Sequence, residues 1–221
     1  MPSPPLPSPP LPSPPLPSPS PSIKTSPPPP PPPSPMVDGV DPISAIINLS
    51  PGWNFVSLNL EASGGGDGMR LNSVFASPRD PAAGSFGIGD HIKNQLLFAD
   101  YYDGFGFFGG LSLISTDEMY AVKVAGAVVL TVTGTPVALP KTISLGTGWN
   151  YLPCPYQASI GLADGVPTFS YTNGDLIKSQ TQFAELYEGF GFFGTLTTMD
   201  PGSGYKVRVS KSGRAVFTNS V

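Results

Sequence analysis

Apolar and polar positions alternate in several short runs of this chain. Tyr120-Ala-Val-Lys-Val124 has the period of two expected of a half-buried strand. Val128 to Val132 resumes the pattern after Gly126, so the two runs predict a hairpin. Tyr205 to Val209 and Arg214 to Thr218 predict the same hairpin again, turning at Ser212-Gly213. Gly-Trp-Asn opens an apolar strand at Gly52 and at Gly148. Phe98, Tyr101 and Tyr102, like Phe183, Leu186 and Tyr187, fit either a strand or a helical turn. The longest uncharged apolar stretch, Ala125 to Leu139, is β-branched and broken by Gly134 and Pro136, so no membrane-spanning helix is expected.

These runs belong to one unit present twice. Ile47-Asn-Leu-Ser-Pro-Gly-Trp53-Asn-Phe matches Ile143-Ser-Leu-Gly-Thr-Gly-Trp149-Asn-Tyr, and Gly89-Asp-His-Ile-Lys-Asn-Gln95 matches Gly174-Asp-Leu-Ile-Lys-Ser-Gln180. Phe98 to Gly109 matches Phe183 to Gly194, ending in Gly-Phe-Gly-Phe-Phe-Gly both times. Tyr120 to Val124 matches Tyr205 to Val209. The order is kept throughout, as in a tandem repeat. Extra residues in the first repeat fall at Ser63 to Asp67 and Pro78 to Ala82, both loop-like. The expected domains are residues 37–138 and 139–221, an all-β pair of small sandwiches or barrels.

Residues 1–36 differ in kind. Pro-Ser-Pro-Pro-Leu recurs, with Leu6, Leu11 and Leu16 five residues apart, and an unbroken proline run fills Pro27 to Pro33. Proline fixes φ and has no N–H, so the segment is expected to be polyproline II. Extended, it would reach on the order of 100 Å. A five-residue repeat on a three-fold helix turns each leucine by about 240°, so the leucines spread around the rod. The arm fits a solvated spacer, a ligand for SH3 or WW domains without the usual flanking cations, or a glycosylated rod.

The Ser-Pro-Pro repeats and the proline block resemble the hydroxyproline-rich, extensin-like glycoproteins of plants and green algae. That resemblance implies an extracellular wall or coat protein with hydroxylated, sugared prolines. The implied glycan sites are Pro4, Pro5, Pro9, Pro10, Pro14, Pro15, Pro27, Pro28, Pro29, Pro30, Pro31, Pro32 and Pro33, with Ser3, Ser8 and Ser13. The commonest extensin pattern, serine followed by four prolines, does not occur in these repeats. The tandem units also resemble a loose class of secreted and cell-surface β domains. Those begin with Gly-Trp-Asn and end in a Gly-Tyr-x-Val-x-Val-like strand, as Gly204-Tyr205-Lys206-Val207 does; the first repeat has Met119 before Tyr120 instead. This second resemblance implies a β-sandwich and no particular reaction. No secretory signal is read at Met1-Pro2, so the extracellular expectation rests on the arm.

Of 221 residues, only 12 % are charged and the formal net charge is −4, which offers no basic patch for nucleic acid. Cys154 and His91 are the sole cysteine and histidine. An intramolecular disulfide and a cysteine metal cluster are therefore excluded. The repeats control each other: His91 aligns with Leu176 and Cys154 with Leu58, so neither reads as catalytic. Asp90/Asp175 and Lys93/Lys178 do recur. The aspartates read as turn caps on backbone N–H groups and the lysines as surface ion pairs. Asn48-Leu-Ser50 is the one N-glycosylation sequon, beside Pro51. No catalytic, cofactor-binding or metal-binding residue is expected.

The aromatic-glycine segments are the most distinctive feature. Phe105, Phe107, Phe108 and Tyr102, with Phe190, Phe192, Phe193 and Tyr187, are candidate interface residues; core packing is the alternative. The expected function is an extracellular structural glycoprotein that assembles with like subunits into a fibril, coat or wall, the arm docking on neighbours. The rival is a carbohydrate-binding or adhesive module on a stalk, with Asp90, Lys93, Asp175 and Lys178 bonding sugar hydroxyls.

Overall fold

The computed structural model describes Met1 and residues 41–62, 69–75 and 83–219. The polyproline arm and its glycan sites lie outside the described residues. The elements fall within one compact unit, Val40–Val221.

Repeat 1 runs β1 (Ile43–Leu49), β2 (Gly52–Ser57), β3 (Leu60–Ala62), β4 (Met69–Arg70), α1 (Leu71–Val74), β5 (His91–Lys93), β6 (Phe98–Tyr102), β7 (Gly106–Gly109), β8 (Leu113–Ile114), β9 (Met119–Val124) and β10 (Val128–Pro136). Repeat 2 runs β11 (Lys141–Leu145), β12 (Gly148–Leu152), β13 (Ile160–Gly161), α2 (Leu162–Gly165), β14 (Leu176–Lys178), β15 (Phe183–Tyr187), β16 (Gly191–Gly194), β17 (Thr198–Met199), β18 (Tyr205–Val209) and β19 (Gly213–Phe217). The all-β expectation holds. Phe98 to Tyr102 and Phe183 to Tyr187 are strands, not helical turns.

The topology repeats with the sequence. A five-stranded sheet has the order β2-β9-β5-β6-β7 in repeat 1 and β12-β18-β14-β15-β16 in repeat 2. A second layer pairs β10 with β1 and β3, and β19 with β11. A ribbon of β4 with β8 answers β13 with β17. Among the described strands no sheet closes into a barrel.

The predicted hairpins are a correction. β9 pairs with β2 and β5, whereas β10 pairs with β1 and β3, so the chain crosses between layers instead of folding back in one. β18 and β19 part in the same way. The alternation that suggested a hairpin is satisfied otherwise: Tyr120, Val122 and Val124 of one layer and Val128, Leu130 and Val132 of the other are all buried in one core. A buried aspartate holds the crossing. Asp90 Oδ1 accepts the Ala125 N–H at 2.7 Å and Asp175 Oδ1 accepts the Ser210 N–H at 2.9 Å, so an acid takes the donor where the chain leaves the sheet. Each core also buries a tyrosine beneath its ribbon. Tyr120 Oη accepts from the Ser115 N–H and Tyr205 Oη from the Asp200 N–H, both at 2.7 Å.

The core residues form two clusters, one per repeat. The repeats join along β2. Gly204 N–H donates to Phe55 O at 2.9 Å and Ser57 N–H to Gly202 O at 3.0 Å. Gln95 bonds Trp149 O and the Tyr151 N–H across the joint, and Gln180, its counterpart, bonds Trp53 O. The joint is thus close to two-fold symmetric. Met119, fully buried, belongs to neither core cluster. It packs against Gly204, which occupies the equivalent place in repeat 2; a Cβ on Gly204 would stand 2.7 Å from Met119 Cβ.

Candidate functional site

Asp90, Asp175, Cys154 and His91 are each engaged in the fold. Asp90 and Asp175 are almost wholly buried and each carboxylate takes two backbone N–H groups, Gly87 and Ala125 in one case, Thr172 and Ser210 in the other. They cap turns as expected. They do not reach sugar hydroxyls, which corrects that part of the carbohydrate-binding alternative. Cys154 is buried, and burial pushes its thiol up to about 12, with the charge of Asp200 adding to the rise. His91 Nδ1 meets Asp100 Oδ1 at 2.7 Å while its ring lies between Trp53 and Phe98. No described group of three His, Cys, Asp or Glu side chains is placed to hold a metal.

The aromatic-glycine segments are β-hairpins: β6 turns into β7 and β15 into β16. Gly109 and Gly194 end them where backbones cross closely; an added Cβ would lie 2.7 Å from the Cα of Ala99 or Ala184. The period of two then divides the phenylalanines. Phe107 points into the core against Phe75, Phe86 and Tyr101. Phe192 is half-buried against Tyr171. Phe105 and Phe108 stay 84 % and 76 % exposed, and Phe190 and Phe193 79 % and 56 %. Tyr102 and Tyr187 are half-exposed. Of the candidate interface residues, Phe107 therefore belongs to the core, Phe192 sits between, and the other six offer surface.

β7 and β16 are the outer edges of their sheets, and the edges differ. In repeat 1 the Asn72 side chain donates to Phe107 O at 2.8 Å and accepts from the Phe107 N–H at 2.7 Å, so an amide closes the edge as a paired strand would. Asn72 is the second residue of α1; its counterpart in α2 is Ala163. Ala163 has no amide, and no described side chain bonds the Phe192 backbone. Beside that open edge lies a depression of about 340 Å³ lined by Leu162, Ala163, Phe192, Phe193 and Leu196 among others. The repeat comparison in sequence aligned the Phe residues but not α1 with α2, because the unequal loops hide that pairing.

The outward faces of the five-stranded sheets carry a second set that sequence reading left scattered. Register places Trp53, Lys123, His91, Asp100 and Phe108 in one row, and Phe55, Ala121, Lys93 and Phe98 in the next. The rows of repeat 2 are Trp149, Arg208, Leu176, Glu185 and Phe193, then Tyr151, Lys206, Lys178 and Phe183. The recurring lysines are not in ion pairs with described residues, which corrects that expectation. Lys93 stands over the Trp53 ring at 5.1 Å and Lys178 over Trp149 at 5.9 Å. Lys206 crosses the joint, 4.8 Å from the Phe55 ring and 5.0 Å from Tyr151. Its ammonium is pushed down by burial, then by the charges of Lys178 and Lys93. The counterpart of Lys206 is Ala121, which leaves it room.

Among the described residues no helix is long and apolar enough to cross a membrane. No family model, curated protein or solved structure matches the chain.

Proposed function

We propose that this protein is a non-enzymatic extracellular structural glycoprotein, a subunit that assembles with its like into a fibril, coat or wall. The observation that supports this most is the asymmetry of the two sheet edges. The same Gly-Phe-Gly-Phe-Phe-Gly hairpin ends both sheets, yet Asn72 closes β7 while no described side chain closes β16, which lies beside an apolar depression. An open, aromatic-rich edge is a docking place that monomeric proteins normally cover. An edge that differs in this way between the two repeats suits directional assembly, since a head-to-tail contact propagates.

The occupant we favour is the proline-rich arm of a neighbouring subunit. Proline presents a carbonyl and no N–H, and aromatic-lined grooves commonly receive proline-rich segments. The Phe192 N–H, which no described side chain accepts, is a donor for such a carbonyl, and Phe190 and Phe193 flank it. Proline restricts the backbone before docking, so a proline-rich segment loses less entropy on binding. O-linked sugars on the arm would keep its remaining surface solvated.

Electron microscopy and sedimentation of the native glycoprotein test this, alongside glycan mapping of residues 1–36. Filaments or concentration-dependent oligomers are expected. Ala163→Asn, which installs the amide that closes β7, should suppress them without loss of folding. A monomer at all concentrations with an unmodified arm refutes the reading, as does assembly indifferent to Ala163→Asn and to Phe193→Lys.

A further inference from the structure

We infer that the joint between the two repeats is a binding face for an acidic polysaccharide, a polymer of uronic acid. This inference is independent of the assembly reading, which rests on the far edge of the repeat 2 sheet. It is carried by where the sheet register gathers charge. Lys93, Lys123, Lys178, Lys206 and Arg208 all stand on the two outward faces, five of the eleven Lys and Arg in a chain of net charge −4. The acids in the same rows are Asp100, tied to His91, and Glu185. None of the five cations forms an ion pair with a described residue.

Three of them converge at the joint. Lys206 spans it, over Phe55 of repeat 1 and Tyr151 of repeat 2; Lys178 is its cross-strand partner and Lys93 lies in the row of Phe55. Like charges brought together without counter-ions are unfavourable, and an anion laid between them relieves the repulsion. The flanking groups specify the kind of anion. Trp53 and Trp149 lie on either side, 40 % and 44 % exposed, each with a lysine over its ring. Indole faces stack on the C–H faces of sugar rings, and the ammonium groups beside them suit a carboxylate in the plane of such a ring. A cation–π contact at an exposed site is weak enough to be exchanged for a charge-assisted hydrogen bond. The repetition provides two similar tryptophan–lysine subsites, and Arg208 adds a second cation over Trp149 at 5.8 Å. The arm of the chain is a poor fit here, because Lys24 is the one charged residue in positions 1–36.

Calorimetric titration of the full chain with de-esterified polygalacturonate tests the inference. Binding is expected, weakening as salt is raised, because the contacts are charged and partly exposed. The fully methyl-esterified polymer, which has the rings without the charge, should not bind. The triple variant Lys93→Met, Lys178→Met, Lys206→Met keeps the apolar stems on the aromatic rings and should lose at least about tenfold in affinity. Trp53→Ala with Trp149→Ala should lose a comparable amount. Ala163→Asn should bind as the parent does, so failure of assembly and failure of this site remain distinct. The inference is overturned if the triple lysine variant binds undiminished, or if the esterified polymer binds equally. Dextran sulfate binding equally tightly and independently of both tryptophans would reduce the face to a generic cation patch. Binding of a peptide of residues 1–36 that the tryptophan changes abolish would assign the face to the arm instead.

Discussion

Gly204→Ala should be among the most damaging small changes in this protein. Gly204 lies where the two repeats meet, and its N–H is bonded to Phe55 O at 2.9 Å, which ties its backbone to β2. A methyl group there would stand 2.7 Å from Met119 Cβ, 2.9 Å from Val56 O and 3.0 Å from Met119 Sδ. The methionine sulfur can swing away, but the carbonyl and the Cβ are held by β2 and β9. Overpacking of this kind costs about 1–3 kcal/mol. For a chain of this size that lowers the thermal midpoint by about 2–4 °C per kcal/mol. Urea unfolding and scanning calorimetry would read the loss. The reciprocal change sharpens the test. Met119→Gly alone empties a fully buried site and should cost about 2–5 kcal/mol, as large-to-small changes in cores do. Met119→Gly combined with Gly204→Met moves the side chain to the equivalent place across the near two-fold axis. The pair should then be less destabilised than the sum of the single changes by about 1 kcal/mol or more. Additivity of the two changes, or an unaltered midpoint for Gly204→Ala, refutes the knob-and-space account of the joint.

Three further outcomes are expected. Tyr171 buries a hydroxyl that has no hydrogen-bond partner in its described surroundings, where repeat 1 has Phe86, so Tyr171→Phe should raise stability by about 1 kcal/mol in urea unfolding. Asp90→Ala leaves the N–H groups of Gly87 and Ala125 without their acceptor and should cost about 2–4 kcal/mol, with Asp90→Asn milder because it keeps one acceptor; equal losses for both would show that the charge, not the caps, matters. At alkaline pH, burial raises the Cys154 thiol from 9.0 to about 12, and burial with the nearby Cys154 and Asp164 raises Tyr156 from 10.0 to about 12. Both groups lose protons more easily unfolded, so their contribution is complete below pH 9 and should decline as pH climbs from 9 towards 12; native Cys154 should react with thiol reagents only as fast as the chain opens.

Much of the architecture was legible in the chain, and for definite reasons. A period of two marks strands locally, so Tyr120 to Val124, Val128 to Val132 and the Gly-Trp-Asn openings were found in place. Two aligned repeats exposed Cys154 and His91 as unshared and Asp90 and Asp175 as shared caps, because a cap is a local bond that survives wherever the turn does. Which strand pairs with which was misread at β9 and β10. Alternation records that a face is buried but not which layer buries it, and the Asp90 carboxylate that takes the Ala125 N–H at the crossing comes from a distant turn.

The sites divide along the same line. Sequence alone fixed the proline-rich character of residues 1–36, the tandem units and the Gly-Phe-Gly-Phe-Phe-Gly segments as the unusual features, since composition and spacing are properties of the chain itself. Tertiary structure decided that Phe107 faces the core while Phe105 and Phe108 do not, that Asn72 closes one edge where Ala163 offers no side-chain amide to the other, and that Lys93, Lys178 and Lys206 share one surface. Those facts join residues far apart in the chain, and register and packing between separate strands, not local pattern, determine such neighbours.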